Sequence, residues 1–416
     1  MDGPDPVNFE ADLDVMASPD VAVAGGGIAG VSAAVAAARQ GTEVLLIERY
    51  NALGGTATIA GVGSFCGETA GQGEVFDDIV AGLDDLGVIA DYRPYPEMEA
   101  RTFDHQWLKI VLLDLCEEAG VRVLLHSTVV ATRADEGRVS DLVVAYKGGL
   151  GVVQAAVVVD ATGDADVVAQ AGLGVEKGNP QLAMGYMLFT RYADEGVKMP
   201  LPEGWRRYEN SDELPKTSVW SEPYKKAGIK SKMVGYDATD PWDLTAAEIE
   251  AARKSLSQLE FLSRERLSGY VLDHFPGQVG IREGRRIVGR EKLTEADIRA
   301  GRRFDDAVAR GTFYIDFHDP HSDRAGYAVK QEQVPPYDIR YGCLVPQGAH
   351  NILAAGRCLS SDQVANSSAR VMTSCAMMGQ AAGIAAAWAA ERDAAVRDID
   401  EKELRTALID RGAELD

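Results

Sequence analysis

The chain has 416 residues, 46% of them hydrophobic and 25% charged, with a formal net charge of −22 at pH 7. That length supports two domains with separate cores, and the acidic balance argues against nucleic acid, whose phosphates need clustered Lys and Arg. No apolar run approaches the ~20 residues of a membrane span, and Cys66, Cys116, Cys343, Cys358 and Cys375 form no C-x-x-C pair, which speaks against a dithiol redox centre or a cysteine metal site.

Residues 1–19 are acidic and lack the basic flank and apolar core of a signal peptide, so they read as a partly disordered lead-in and the cytoplasm is the expected compartment. An apolar run, Val21 to Ala24, then meets Gly25, Gly27 and Gly30 at G-x-G-x-x-G spacing, an alanine-rich helix ending at Gly41, and a second apolar run, Val44 to Ile47, that stops on Glu48. Strand, tight turn, helix and strand-end acid are the parts of a dinucleotide site. Gly25 makes the turn, Gly27 lets backbone approach a pyrophosphate, Gly30 lets helix and strand pack closely, and Glu48 accepts from a ribose diol. From this stretch alone FAD and NAD fit equally.

The loop at Gly54 to Ala57 is small enough to cross a cofactor, although a glycine-rich surface loop explains it too. A helix is predicted from Glu74 to Leu86, a break at Pro94 and Pro96, and a helix capped by Asp104 whose Leu108, Val111, Leu112 and Leu115 face a core. Extended runs over 121–125, 128–133, 139–146 and 152–160 predict a strand followed by a small meander, closing on Asp160-Ala-Thr-Gly-Asp164. From 181 to 334 the chain has less glycine and more aromatics, with a helix from Thr245 to about Leu267. It reads as an α+β substrate domain inserted into a first domain made of 20–180 and 335–416. A short strand, Asn351 to Ala355, and a long small-residue helix, Ser368 to Glu391, end the pattern.

Three segments in fixed order, the Gly25 turn with Glu48, the strand end at Asp160 to Asp164 and the Asn351 to Arg357 strand before a small-residue helix, resemble the FAD-binding scaffold of the glutathione-reductase superfamily and of the fumarate reductase and succinate dehydrogenase flavoproteins. More closely, Leu53 to Thr58, Ile281 to Arg290, Tyr314 to Pro320 and Cys343 to Asp362 resemble the bacterial FAD-dependent oxidoreductases. The resemblance implies an α/β fold: a Rossmann-like FAD domain, parallel sheet plus β-meander, with the inserted cap. It assigns the pyrophosphate to Gly25, Gly27, Ala29 and Gly30, and the adenosine end to Glu48 and Arg49. Gly55, Thr56 and Ala57 would meet the phosphates or ring, and Val129 would pair its backbone with adenine. Thr162, Gly163 and Asp164 would pass close to the cofactor, Gly356 and Arg357 would lie beside the ribityl chain, and amides near Arg370, Val371 and Met372 would face the flavin pyrimidine.

Arg357 stands where many relatives of the scaffold carry an acid. For catalysis the expected candidates are His318, Tyr314, Arg285, Arg286 and Arg340, with His105 and Tyr341 behind them, and no metal is expected. The implied activity is hydride transfer between flavin and a small polar substrate, as a dehydrogenase or oxidase. Reduction of an activated C=C bond and a non-catalytic flavin-binding role are the alternatives. An aromatic hydroxylase is disfavoured because Gly163 is followed by Asp-Ala-Asp. The electron acceptor and a homo-oligomeric state stay open.

Overall fold

The structure is a computed structural model that describes residues 10–91, 100–222, 226–324 and 329–415. The expected break at Pro94 and Pro96, and the first nine residues of the lead-in, lie outside them.

Every residue of Val21–Ala24, Val44–Ile47 and Val157–Asp160 is buried, as continuous apolar runs require when both faces of a sheet are covered. With Ile352–Ala354 and Arg122–Leu124 they form a five-stranded parallel sheet, in the order Ile352–Ala354, Val157–Asp160, Val21–Ala24, Val44–Ile47, Arg122–Leu124. Ala24 pairs with both Ile47 and Asp160, and Asp160 with Ala354, so four strands end level at one edge. Open α/β sheets place ligands outside that carboxyl edge.

The helix Ile28–Ala38 is buried along nearly its whole length because a second helix, Met372–Glu391, lies against it. Gly379 and Gly383 make the approach feasible: a Cβ on either would come 2.2 Å from the Ala29 or Ala33 carbonyl oxygen. The long helix expected from Ser368 is in fact two, Gln363–Ala369 capped by Asp362 and Met372–Glu391, with Val371 extended between them. That break turns Arg370 toward Asp316.

Other expectations hold or shift locally. Asp104 caps His105–Glu118 by accepting from the Gln106 and Trp107 amides. The helix expected at Thr245 starts earlier, at Pro241, because Asp240 accepts from the Trp242 and Asp243 amides and proline suits a first helical position. Thr245 instead donates back to the Pro241 carbonyl. The run expected over 152–160 divides: Gly149–Val153 completes the meander with Thr128–Asp135 and Arg138–Tyr146, while Val157–Asp160 joins the parallel sheet. Part of the lead-in is ordered, since Val15–Ala17 pairs in parallel with Val152 and Val153.

The inserted region carries an antiparallel sheet in the order Ser218–Glu222, Lys226–Met233, Met184–Tyr192, Tyr270–His274, with helix Pro241–Glu265 against it. Its apolar clusters run from Met184 to Ile281. Beyond that, Ile287, Leu293, Ile298, Val308 and Ile315 join the main core, tied there by Arg285–Ile287 pairing with Val175–Lys177 and Ala307–Gly311 pairing with Tyr337–Arg340. The cap's own packing therefore ends near Ile281 rather than at 334.

Candidate active site

A continuous trough runs along the carboxyl edge of the parallel sheet, from Glu48, Arg49 and Val129, past Gly25 and Gly27, to Gly356, Arg357 and the Arg370 to Met372 break. Its first half is made of backbone. Gly25 has φ +100°, and a Cβ there would sit 2.5 Å from the Ala161 oxygen; a Cβ on Gly30 would sit 1.8 Å from the Gly25 oxygen. The protein itself demands glycine at both. Gly27 differs: its φ is −66° and a Cβ would meet nothing within 4 Å, only the trough. What excludes a side chain there is what fills the trough. The first helical rung is Val31 to the Gly27 carbonyl at 2.9 Å, so the amides of Ile28, Ala29 and Gly30 precede the ladder at the positive end of the helix, as a pyrophosphate requires.

Glu48 is 4% exposed, and its carboxylate accepts from the Gly26 amide at 2.6 Å and the Tyr50 amide at 2.8 Å. Two amides fix the acid at the mouth of the turn, and a carboxylate has further lone pairs for a diol. The Gly54 amide donates to Gly26 at 2.7 Å, which clamps the Gly55 to Ala57 loop over the glycine turn. Val129 sits on an edge strand of the meander at a register shift, where main-chain groups come free of the ladder.

The Asp160 to Asp164 turn is built by its first acid. Asp160, fully buried, accepts from the Thr162 amide and hydroxyl and from the Val168 amide. Burial pushes its carboxyl up to about 6 against those bonds. Thr162 and Gly163 line the trough, whereas Asp164 lies beneath it, 3.1 Å from Arg357. Arg357 thus lies over Gly163 and pairs with Asp164, which accounts for an arginine where an acid was the expected pattern.

The other half of the trough is made of side chains. Asp316 and His318, two apart on strand Ile315–His318, share a side of it, and His318 Nε2 lies 3.0 Å from Asp316 Oδ2. Burial lowers His318 to about 3, helped by the Arg282 charge and opposed by Asp316, so the ring is neutral. Burial alone would raise Asp316, but the hydrogen bond from His318 and the charges of Arg370 and Arg282 hold it well below the usual carboxylate range. An ionised Asp316 accepts a hydrogen bond from Nε2–H, leaving Nδ1 as the ring's acceptor, and that atom is buried without a partner among the described residues. Arg370 Nη2 donates to Asp316 at 3.2 Å. Arg282 Nη1 donates to the Ala183 carbonyl at 2.6 Å, and burial beside Arg370 lowers this guanidinium to about 9. Lys230 and Cys66 complete the wall.

Of the expected catalytic residues, only His318 lines this trough. Arg285 is spent on Asp166 and the Asp164 carbonyl, and Arg286 on Glu283 and the Ser361 carbonyl. Arg340 is spent on Asp306 and Glu291, and Tyr314 accepts from Gln331 and stacks on Phe313. His105 stacks on Phe189 beneath the cap, and Tyr341 donates to the Val396 carbonyl. Gly30 shapes the trough without lining it. The residues missed were Arg282, Lys230 and Asp316. The readable signals were an acid two residues before His318 in a strand, and lysines inside the apolar run Ala227 to Met233.

The backbone cradle at Gly27 and the Glu48 carboxylate fit the pyrophosphate and ribose of a dinucleotide, and the length of the trough past Gly356 to Met372 leaves room for a ring system beyond them. Among curated proteins none matches this sequence. Among solved structures, the anhydrotetracycline hydroxylase OxyS from Streptomyces rimosus is 15% identical over 95% of this chain and 68% of its own, with a TM-score of 0.50, a likeness of fold alone. A geranylgeranyl bacteriochlorophyll reductase-like protein from Thermoplasma acidophilum is 13% identical over 94% of this chain and 83% of its own, with a TM-score of 0.48. The flavin-dependent brominase Bmp2 is 14% identical over 94% and 83%, with a TM-score of 0.49. A family model described as FAD dependent oxidoreductase matches residues 20–408, and the chain belongs to that family of enzymes, with FAD as its cofactor.

Proposed function

We propose that the protein passes a hydride between a small polar organic substrate and flavin N5, as a dehydrogenase or oxidase, with His318 moving the accompanying proton. Bound FAD supplies the two-electron acceptor. The observation that carries the reading is the unpartnered Nδ1 of His318. A neutral imidazole, lining the trough and oriented by Asp316, keeps one buried lone pair that no described residue uses, as a general base awaiting an O–H or N–H proton must. Substrate C–H goes as hydride and substrate O–H or N–H gives its proton to Nδ1, so a carbonyl or imine leaves. The free helix-start amides near Val371 and Met372 suit negative charge on the reduced ring.

Reduction of an activated C=C bond is the second reading, favoured by Arg282 and Arg370, whose buried charges would stabilise an enolate. One experiment separates the readings. The FAD-loaded protein is challenged without oxygen by amines, alcohols, hydroxy acids and sugars, and loss of the visible flavin band is followed. The reduced protein is then exposed to alkenes and to air. Bleaching by a saturated substrate supports the main reading, and reoxidation by an alkene but not by oxygen supports the second. A flavin that neither set moves would make the protein a flavin-binding partner rather than an oxidoreductase of small molecules.

A further inference from the structure

We infer that the substrate is a carboxylate, held by Lys230 and Arg282 of the cap at the redox end of the trough. This rests on the hydride-transfer reading above. The cations Lys230, Arg282 and Arg370 line one end of the trough together with Asp316. Arg370 is bonded to Asp316, whereas Lys230 and Arg282 have no ion-pair acid among the described residues. Burial pushes all three cations down, with Arg282 adding to the effect on Lys230, Arg370 to that on Arg282 and Arg357 to that on Arg370, while the one charge of Asp316 opposes in each case, so the cluster favours a further anion. Lys230 and Arg282 are half-buried, and proteins seldom withdraw an unmatched positive charge from water without a use for it.

The place of the cations decides what the anion is. The pyrophosphate cradle is at Gly27, on the opposite half of the trough, and is built from helix amides. Lys230 stands on cap strand Lys226–Met233, and Arg282 follows Gly280, whose amide and carbonyl both bond to Gly185 of the neighbouring cap strand. Both therefore belong to the roof rather than to the cofactor's own bed, and what they face is substrate. Gly185 keeps the guanidinium in position, since a Cβ there would come 2.8 Å from Arg282 Nη2. One Arg282 nitrogen is tied to the Ala183 carbonyl, which orients the planar fork and leaves its remaining donors for a planar, two-oxygen acceptor, with the Lys230 ammonium as a point charge beside it. The same anion would act on the base. Arg282 is the largest charge holding His318 below its ordinary value, with Arg370 adding to it and Asp316 opposing, so neutralising Arg282 restores basicity to Nδ1 when substrate is present.

The test uses FAD-loaded full-length protein and matched probes: succinate, malonate and benzoate against their neutral amides. Binding is read by perturbation of the flavin spectrum and by calorimetry, without turnover. Carboxylates are expected to bind at least tenfold tighter than the amides, and rising salt is expected to erode the difference. Lys230→Met is expected to weaken carboxylate binding about tenfold to a hundredfold and to leave amide binding unchanged, and Arg282→Lys, which keeps the charge but loses the fork, about tenfold. Amides binding as well as acids in the unaltered protein would overturn the inference, whether or not the variants fold. So would carboxylate binding that survives Lys230→Met in protein retaining its FAD. A preparation that binds no FAD, or whose flavin never cycles, would instead sink the function on which the inference rests.

Discussion

At the Gly27 end the trough is made of main chain: Gly25 and Gly30 are required by the fold, Gly27 borders open space, and the acid beside them, Glu48, is pinned by two amides. At the redox end it is made of side chains brought from separate segments, Cys66, Lys230, Arg282, Asp316 with His318, and Arg370. Backbone geometry is local, so 28 consecutive residues specify the first end. The second depends on which strand of the cap lands over which strand of the main domain. A site of the first kind can be shared by enzymes of many activities, while the second kind is where an individual chemistry is set.

The sharpest way to break this contrast is His318→Ala. If the redox end alone carries chemistry, turnover is expected to fall about 10²- to 10⁴-fold, the range for losing a positioned general base. FAD content should be unchanged, because His318 belongs to the other half. Stopped-flow bleaching together with the absorbance ratio of the purified variant reads both. A variant that loses FAD as well as rate would mean that the halves are one unit.

Acid response comes next, because the buried imidazoles of His105 beneath the cap and His318 in the trough titrate where main-chain amides do not. Burial lowers His105 to about 4 and His318 to about 3, so between the ordinary value near 6.5 and those values the unfolded chain binds protons that the folded chain refuses. Stability conferred by each is present above 6.5 and is lost as pH falls toward the folded value, by up to about 3 kcal/mol for His105 and about 5 kcal/mol for His318. Asp160, raised to about 6, acts with the opposite sign, so the parent's profile alone is a sum. The difference between parent and His105→Gln removes that common part. The parent is expected to lose more Tm than the variant between pH 6.5 and 4.5, by thermal melts.

Gly27→Val probes the backbone half. Since a Cβ at Gly27 meets no protein atom, the protein without FAD should melt as before, while FAD affinity falls about tenfold to a hundredfold, the cost of overpacking a filled site by 1–3 kcal/mol. Gly30→Ala is the contrast, because its Cβ strikes the Gly25 oxygen and both stability and affinity should go. Melts with and without FAD, plus fluorescence titration, distinguish the two glycines. A stability loss at Gly27 equal to that at Gly30 would remove the argument that the trough is shaped for a ligand.

The two halves were unequally legible in the sequence for the same reason. The Gly25 to Glu48 unit, the Asp104 cap and the parallel strands could be read because each rests on periodicity or capping within one window. The helix expected from Thr245 starts at Pro241 because Asp240, also a capping residue type, takes the cap, a choice between two such residues that the tertiary structure makes. The helix break at Arg370 and Val371 has no proline or glycine to announce it. Of the four arginines from 282 to 290, Arg285 and Arg286 are the expected candidates, yet Arg282 lines the trough, because Glu283, Asp166 and the Ser361 carbonyl consume the other two. Which arginine keeps a free fork depends on partners up to 121 residues away, and that is tertiary information.

Arg340 gives the smallest effect and tests whether tertiary partnering has been read correctly. It donates through Nε to both Asp306 oxygens at 2.9 Å and lies 2.8 Å from Glu291, with its guanidinium over Phe304. Those acids and that ring lie away from the trough, so Arg340→Gln should keep both FAD content and kcat/KM within about twofold. It should cost stability only modestly, about 1 kcal/mol or less, because the group is part-exposed and its pairing is screened. The acids left behind repel one another, and burial already raises Glu401 near Asp306. Hence the loss should shrink as pH falls and these carboxyls take up protons. A thermal melt series from pH 7 to 4.5 beside steady-state kinetics checks both parts. A tenfold loss of kcat/KM at unchanged stability would put Arg340 back at the substrate and show that the trough extends past the side chains assigned to its redox end.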